Sequence, residues 1–307
     1  MKKGIFTLSL DCEGLWGVAD VQAERHKTIN QANLKEVYSY IHDVLSHYSI
    51  AATYAFTSLF TQNEDSILEY KDEIDSRVST DDRWYRYISK ILSDQNLDGW
   101  LGRDFYLQAR AAGHEIGWHG FTHHPLSENT NESIIKYELE ESLRIANQEG
   151  LKLDSVVFPR NDIGHLELIF QHGFKCYRKG IIEQSKLYAN KYYRVLDEFN
   201  ILKKSEKILK NKNQTLLALP SGCFLNWPSG SRRFVPDYVT IKRWDNLLST
   251  AARNNSQAHM WFHPHNMITA PKMRDTFESI ISKAATKIKN GELLNMTMDE
   301  CERFVNE

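Results

Sequence analysis

The chain is poor in cysteine: of 307 residues only Cys12, Cys176, Cys223 and Cys301 carry a thiol, far apart and without a CxxC pair. That spacing excludes a disulfide framework and a cysteine-built zinc site, and points to reduced thiols in a cytoplasmic protein. Cys12, beside an acidic cluster, is the one thiol near candidate chemistry; a small residue filling a strand end is the favoured explanation of it. No stretch approaches the about eighteen apolar residues that cross a bilayer, so no integral membrane segment is expected. The chain also lacks a charge excess. Its formal net charge is -2 and no long basic stripe stands out, which removes the electrostatic reason to expect nucleic acid. There is no internal repeat and no low-complexity linker. The basic start Met1-Lys2-Lys3 is followed by an apolar run that Asp11 interrupts, with no small-residue cleavage site. It reads as a first buried strand, not as a signal peptide.

What is present is the composition of a globular protein, 41% hydrophobic and 25% charged, enough to build a sizeable core. Short apolar runs predict strands at Gly4–Leu10, Ile50–Phe56, Glu115–Trp118, Ser155–Phe158, Thr215–Leu219, Ala258–Phe262 and Leu293–Met298. Stretches with helical spacing lie between them: Leu34–Tyr48, Tyr106–Ala112, Ile134–Gln148, His165–His172 and Thr276–Ile288. Gly113, Gly150 and Gly173 each follow such a stretch, where a helix-terminating glycine belongs. Strand and helix alternate along the whole length, which predicts a parallel α/β fold, open or closed, of about seven strands. Residues 1–307 read as one elaborated domain. Two segments break the rhythm: a charge-rich helical insertion at about 61–100, and a Lys-rich, tyrosine-spotted stretch from Gly180 to Asn213.

In parallel α/β folds functional groups collect at the C-terminal ends of strands. Four groups sit there: Asp11 and Glu13; His119 and His123; Arg160; and His263. Each alone is weak, since a histidine after a strand is usually hydrogen-bonded structure and an aspartate there is usually a turn or helix cap. Their recurrence at successive strand ends is what draws attention. His119 and His123, four residues apart, can turn toward one point and bind a divalent metal with a third ligand from elsewhere.

The pattern resembles the polysaccharide deacetylases, the NodB-homology superfamily or carbohydrate esterase family 4, over about residues 4 to 300. Ser9-Leu10-Asp11-Cys12-Glu13-Gly14 resembles the first motif in the branch that separates the two acids by one residue. His119 and His123 match the His-x-x-x-His-Pro motif, with His124 inserted before Pro125. Ala112-Gly113-His114-Glu115-Ile116-Gly117 and Ala52-Thr53-Tyr54-Ala55-Phe56 are similar to the family's strands. Phe158-Pro159-Arg160 resembles its arginine motif and Phe262-His263-Pro264 its final histidine motif.

The resemblance implies a distorted (β/α)7-type barrel with the helical insertion after the second strand. It implies hydrolytic removal of an N-acyl group, usually acetyl, from an amino sugar. By position Asp11 is the general base, oriented by Arg160; Glu13, His119 and His123 hold a divalent metal, most often zinc; His263 is the general acid. The chain departs from the pattern in three places. A glutamate stands at position 13 where aspartate is usual. The segment Leu219-Pro220-Ser221-Gly222-Cys223-Phe224 contains no carboxylate to partner the catalytic histidine. His259, His263 and His265 crowd together, so His265 competes with His263 for the acid role; His263 is favoured because it directly follows the strand and precedes Pro264. Trp100, Asn226 and Trp227 are candidate saccharide contacts, with core or surface packing at least as strong a reading for each. The expected substrate is an intracellular N-acylated saccharide, nucleotide-linked or lipid-linked, in surface-polysaccharide biosynthesis. Two alternatives accompany this reading: a deformylase or small cyclic amide hydrolase, and a catalytically silent carbohydrate-binding relative.

Overall fold

The computed structural model describes residues 3–21, 27–78, 83–181, 186–209 and 215–306; parts of the two off-rhythm segments, 79–82, 182–185 and 210–213, lie outside it. Among the described residues nine strands form one parallel sheet: β1 (Gly4–Cys12), β2 (Thr53–Phe56), β3 (Glu115–Trp118), β4 (Ser155–Val156), β5 (Cys176–Arg178), β6 (Leu217–Leu219), β7 (Cys223–Phe224), β8 (Gln257–Phe262) and β9 (Leu293–Asn295). Their order is β6-β5-β4-β3-β2-β1-β8-β7, with β9 paired to the start of β1.

The two ends of that order are joined covalently. β6 pairs with β5, and after Pro220-Ser221-Gly222 the same chain runs on as β7 to pair with β8. Residues 217–224 thus act as one kinked stave, bonded to β5 along its first half and to β8 along its second. Counted this way the sheet curls into a distorted barrel of seven staves, with β9 an outlying addition. The kink is made at Gly222, whose φ is +64° and whose missing Cβ would lie 2.1 Å from the carbonyl oxygen of His259.

The expected helices form where the spacing placed them. Gln31–His47 begins at Asn30, whose side chain accepts a hydrogen bond from the Asn33 N–H at 2.9 Å. It buries Leu34, Val37, Tyr38, Ile41, Val44 and Leu45 on one face. Helices Arg103–Ala111, Glu132–Gln148, Leu166–Gln171 and Met273–Lys289 follow the same logic. Gly113, Gly150 and Gly173 end three of them with φ of +78°, +62° and +97°. The insertion contributes Glu64–Glu69, Lys71–Arg77 and Arg83–Asp94. Two short strands, β5 and β7, were not expected from the sequence.

β1 is buried along its whole length, as a central parallel strand should be. Phe6, Leu8, Leu10 and Cys12 point outward into the main apolar core under the helices. Thr7, Ser9 and Asp11 alternate with them and face the barrel interior, which is polar. At the base, Met298 and Cys301 from the last helix, Met298–Asn306, plug the barrel against Ile5, Ala55, Val157, Cys176 and Leu217. One layer up, Gln257 Nε2 donates to Thr7 Oγ1 at 2.8 Å. Above that, Ser9 Oγ lies 2.9 Å from His259 Nε2 and accepts from Arg178 Nη1 at 3.0 Å. A column of paired polar groups therefore rises along the barrel axis toward the C-terminal edge of the strands. All four thiols are free and buried. Among the described residues no helix is long and apolar enough to cross a membrane.

Because Gly222 both needs a positive φ and lies against backbone, Gly222→Ala is expected to destabilise the protein by roughly 2–4 kcal/mol. Denaturant unfolding measures this, with Gly230→Ala as the control: Gly230 also has a positive φ but open space around it.

Candidate active site

The polar column ends in a cluster of acids and histidines supplied by three strand ends. Asp11 is the penultimate residue of β1, and Glu13 follows that strand. His119 follows β3, and His123 lies four residues on, in a loop that turns at Gly120 (φ +80°) and at His123 itself (φ +66°). His263 follows β8 directly. Among the described residues, ligand atoms of Glu13, His119 and His123 lie within 4.8 Å of one another, all three side chains buried. Glu13 Oε2 is 3.0 Å from His119 Nε2 and 2.7 Å from His123 Nε2. His119 Nδ1 donates to the Val157 carbonyl at 2.6 Å, which leaves the Nε2 lone pair directed at the cluster. His123 Nε2 is buried and, despite its closeness to Glu13, has no hydrogen bond of acceptable geometry.

A buried imidazole nitrogen without a partner, facing a carboxylate and a second imidazole, is what a divalent metal would satisfy. The donor set of two nitrogens and one oxygen suits zinc and leaves positions open. Burial drives His123 toward the neutral, ligating form. Burial alone would raise the Glu13 carboxyl, but the facing histidines, His123 first, outweigh it and hold Glu13 well below the usual range.

The loop carrying the histidines is itself clamped. Buried Glu138 accepts from the Phe121 N–H at 2.7 Å, the Thr122 N–H at 3.0 Å, Thr122 Oγ1 at 2.6 Å and Tyr85 OH at 3.1 Å. Trp84 from the insertion donates to the Thr122 carbonyl at 3.1 Å and lies 5.9 Å from the His123 ring. The insertion is therefore a wall of the site.

Glu13 fits because of a glycine. A Cβ on Gly17 would lie 1.9 Å from Glu13 Oε1. The glutamate's extra methylene, compared with aspartate, is accommodated in the space a side chain at position 17 would fill.

Asp11 is gripped by an arginine, but by Arg178 and not by Arg160. Arg178 Nη1 donates to Asp11 Oδ1 at 2.7 Å and Nη2 to Oδ2 at 2.8 Å, a bidentate pair in which both partners are buried. Arg178 also donates to Asn161 Oδ1 at 3.3 Å and lies 4.2 Å from the Trp261 ring centroid. Arg160 turns outward: its guanidinium pairs with Asp20 and stands 5.0 Å from the Trp84 ring. The reason is local. Arg160 and Asn161 both have positive φ, and this turn directs the neighbouring amide, not the arginine, to the interior. Burial would raise the Asp11 carboxyl, but Arg178 overrides it and holds Asp11 below its ordinary value.

His263 faces both acids, with Nε2 3.7 Å from Asp11 Oδ2 and 3.8 Å from Glu13 Oε1. Its side chain is 25% exposed while Asp11 is 2% exposed, so His263 is the group that meets an incoming molecule. Asn266 Nδ2 stands 3.4 Å from His263 Nδ1. His263 Nε2 is the ring nitrogen turned toward the acids. His265 is fully enclosed and burial pushes it down to about 4, so it is uncharged at neutral pH. His259 is also buried and driven down to about 3, belonging to the support of Arg178. Burial likewise pushes the Cys12 thiol up, leaving it a packing group. Trp100 is core, packed edge-on to Trp16 with ring centroids 5.1 Å apart. Trp227 is half-buried and donates to Thr269 Oγ1 at 3.0 Å. Asn226 is buried, its Oδ1 without a partner.

Solved structures share this architecture. A Mycobacterium smegmatis protein described as a polysaccharide deacetylase aligns at TM-score 0.60 and 12% identity, over 100% of this chain and 91% of its own. The PuuE allantoinase aligns at TM-score 0.55 and 13% identity, over 98% and 90%. A Pseudomonas aeruginosa PAO1 protein described as a polysaccharide deacetylase aligns at TM-score 0.54 and 11% identity, over 97% and 89%. No protein-family model and no curated protein matches the sequence. The chain has the fold of the polysaccharide deacetylases.

Two outcomes follow from this geometry. Replacing Arg178 with lysine should move the acid limb of the kcat/KM profile to higher pH, because burial then acts on Asp11 with a weaker counter-charge. Arg160→Ala should leave that limb in place. Gly17→Ala displaces only the flexible end of Glu13, so thermal stability should hardly change while metal affinity falls about 10- to 100-fold, measured by competition with a chelator.

Proposed function

We propose that this protein is a metal-dependent hydrolase that removes an N-acyl group, acetyl in the leading case, from an amino sugar. The observation that carries the proposal is the meeting of three units at one strand edge: the Glu13–His119–His123 cluster, the Asp11–Arg178 pair, and His263 across from both. Glu13, His119 and His123 would hold a divalent metal, with zinc favoured by the donor set, which supplies polarisation of the amide carbonyl and a more acidic water.

The remaining work falls to side chains. Asp11, kept ionised and fixed in direction by Arg178, accepts a proton from the attacking water as its oxygen adds to the carbonyl carbon. The C–N bond then breaks, and the departing nitrogen takes the Nε2 proton of His263 in its imidazolium form, which leaves a neutral ring. The products are a carboxylic acid and a free amine. A histidine suits the acid role near neutral pH, and its partial exposure brings it to the leaving group. Asn266, beside Nδ1, fixes the ring's orientation without adding the negative charge a carboxylate would bring.

The proposed substrate is an intracellular precursor of a surface polysaccharide, with the protein in the cytoplasm; the four free thiols agree with a reducing compartment. The structural likeness to an allantoinase supports a second reading, hydrolysis of a small cyclic amide at the same site. A purely binding role has no use for a base, an acid and a metal cluster together.

Elemental analysis of protein purified without chelators should find a divalent metal at one per chain; its absence overturns the proposal. Asp11→Asn should keep the metal and lose about 10²-fold or more in turnover. Loss of metal with activity restored on adding it back would make Asp11 a ligand instead. Acetate release from N-acetylated nucleotide sugars and oligosaccharides, compared with formate release and with opening of cyclic amides, separates the substrate readings.

A further inference from the structure

Helix Lys191–Glu198 is built inside out. Its buried residues are Asp197 and Glu198. Asp197 is held by Arg243 at 2.8 Å and Lys203 at 2.6 Å; Glu198 pairs with Arg243 and, at 3.4 Å, with Arg232. Its solvent face carries Tyr192 and Leu196, each 68% exposed, and continues to Phe199, giving an apolar stripe at i, i+4 and i+7. The turn Gly230–Phe234 packs beside this helix and adds Phe234; Tyr238 follows it, and these two are 67% and 70% exposed. Cations flank the apolar groups. Lys191 Nζ is 5.2 Å from the Tyr192 ring, Arg233 is 4.9 Å from the Phe234 ring, and exposed Lys242 lies one helical turn beyond Tyr238. Asp237 is the exposed carboxylate in this stretch, whereas Asp197 and Glu198 are already neutralised inside.

We infer that this face is a docking surface for an anionic lipid bilayer. Exposed Leu, Phe and Tyr interspersed with Lys and Arg are the composition that seats at the level of lipid headgroups, with the apolar groups inserting and the cations meeting phosphates. A second copy fits less well: a two-fold contact through this face would set Lys191 and Arg233 against a surface of their own sign. The face also adjoins the mouth of the site. Arg232, bonded to Glu198, stands 5.3 Å from the Phe224 ring, which lies 5.8 Å from the His263 ring. Docking here brings the open side of His263 to the membrane surface.

Sedimentation with vesicles tests this on the full chain without any reference to catalysis. The protein should pellet with vesicles containing phosphatidylglycerol, should not pellet with pure phosphatidylcholine, and should be released by high salt. The Leu196→Ser/Phe199→Ser/Phe234→Ser variant should bind about tenfold more weakly or worse. Lys191→Glu/Arg233→Glu should weaken binding while leaving the apolar residues intact, which guards against a misfolded triple variant. Wild-type protein that stays in solution with anionic vesicles, or binds neutral ones equally well, overturns the inference. So does a dimer, seen by light scattering, that the triple variant dissolves; the partner is then a second copy.

Discussion

The bidentate pair between Asp11 and Arg178 is the constraint on which the interior of this barrel depends. Two opposite charges buried in a small cavity are costly to desolvate, and neither can be removed without stranding the other. The fold answers with local support on three sides. Ser9 accepts from the guanidinium below, Asn161 accepts from its side, and Trp261 presents its ring face. Since Asp11 belongs to β1 and Arg178 to β5, the pair reaches across the barrel and joins staves that share no ladder. It ties the register of two distant strands to the direction of one carboxylate, so the aim of that carboxylate and the barrel architecture become the same requirement.

The polar interior explains why the barrel can be so irregular. Its base is closed by an apolar plug from the final helix, and the layers above it are hydrogen-bonded side chains, not interdigitated aliphatics. Strands of two or three residues suffice where side chains carry the cross-barrel contacts. The seventh stave needs no continuous ladder because its two halves are each anchored to a different neighbour. The ion cluster around Arg243 does similar work outside the barrel, holding helix Lys191–Glu198 by its charges and leaving its apolar side outward.

How much of this is legible in the sequence depends on whether periodicity or partnership decides the outcome. The helices Gln31–His47, Glu132–Gln148 and Met273–Lys289 and the terminating glycines follow from local pattern, and so do β1, β3 and β8, whereas helix Asp237–Asn254 lies outside the stretches the spacing picks out. Glu13, His119, His123 and His263 come together as expected because each directly follows, or nearly follows, a readable strand. Arg178 was missed because β5 is three residues long, ends on the arginine itself and is flanked by Lys175 and Lys179, which reads as a charged loop. A signal was available: Gly173 ends a helix as Gly113 and Gly150 do, and a strand follows each of those. Without β5, the interval from Ser155–Phe158 to Thr215–Leu219 was too long for a fold with this rhythm. Arg160 misled for the opposite reason. It stands at a strand end in the right kind of sequence, but the left-handed turn that points it outward depends on φ values that the residue names do not announce. The inside-out helix escaped for a related reason, since its pattern makes sense only once Arg243 and Arg232 are placed beside it.

Glu13 and Gly17 together have a bearing on how such a site changes over generations. The glutamate's carboxylate occupies the volume that a side chain four residues later would need, so the two positions form a single unit of inheritance. A lineage exchanging aspartate for glutamate at position 13 must already carry glycine at the later one, or pass through a form whose carboxylate is displaced. The reverse exchange is free of that order, because a shorter acid vacates the space first. Among relatives, the size of the residue at position 17 should therefore report which acid stands at position 13.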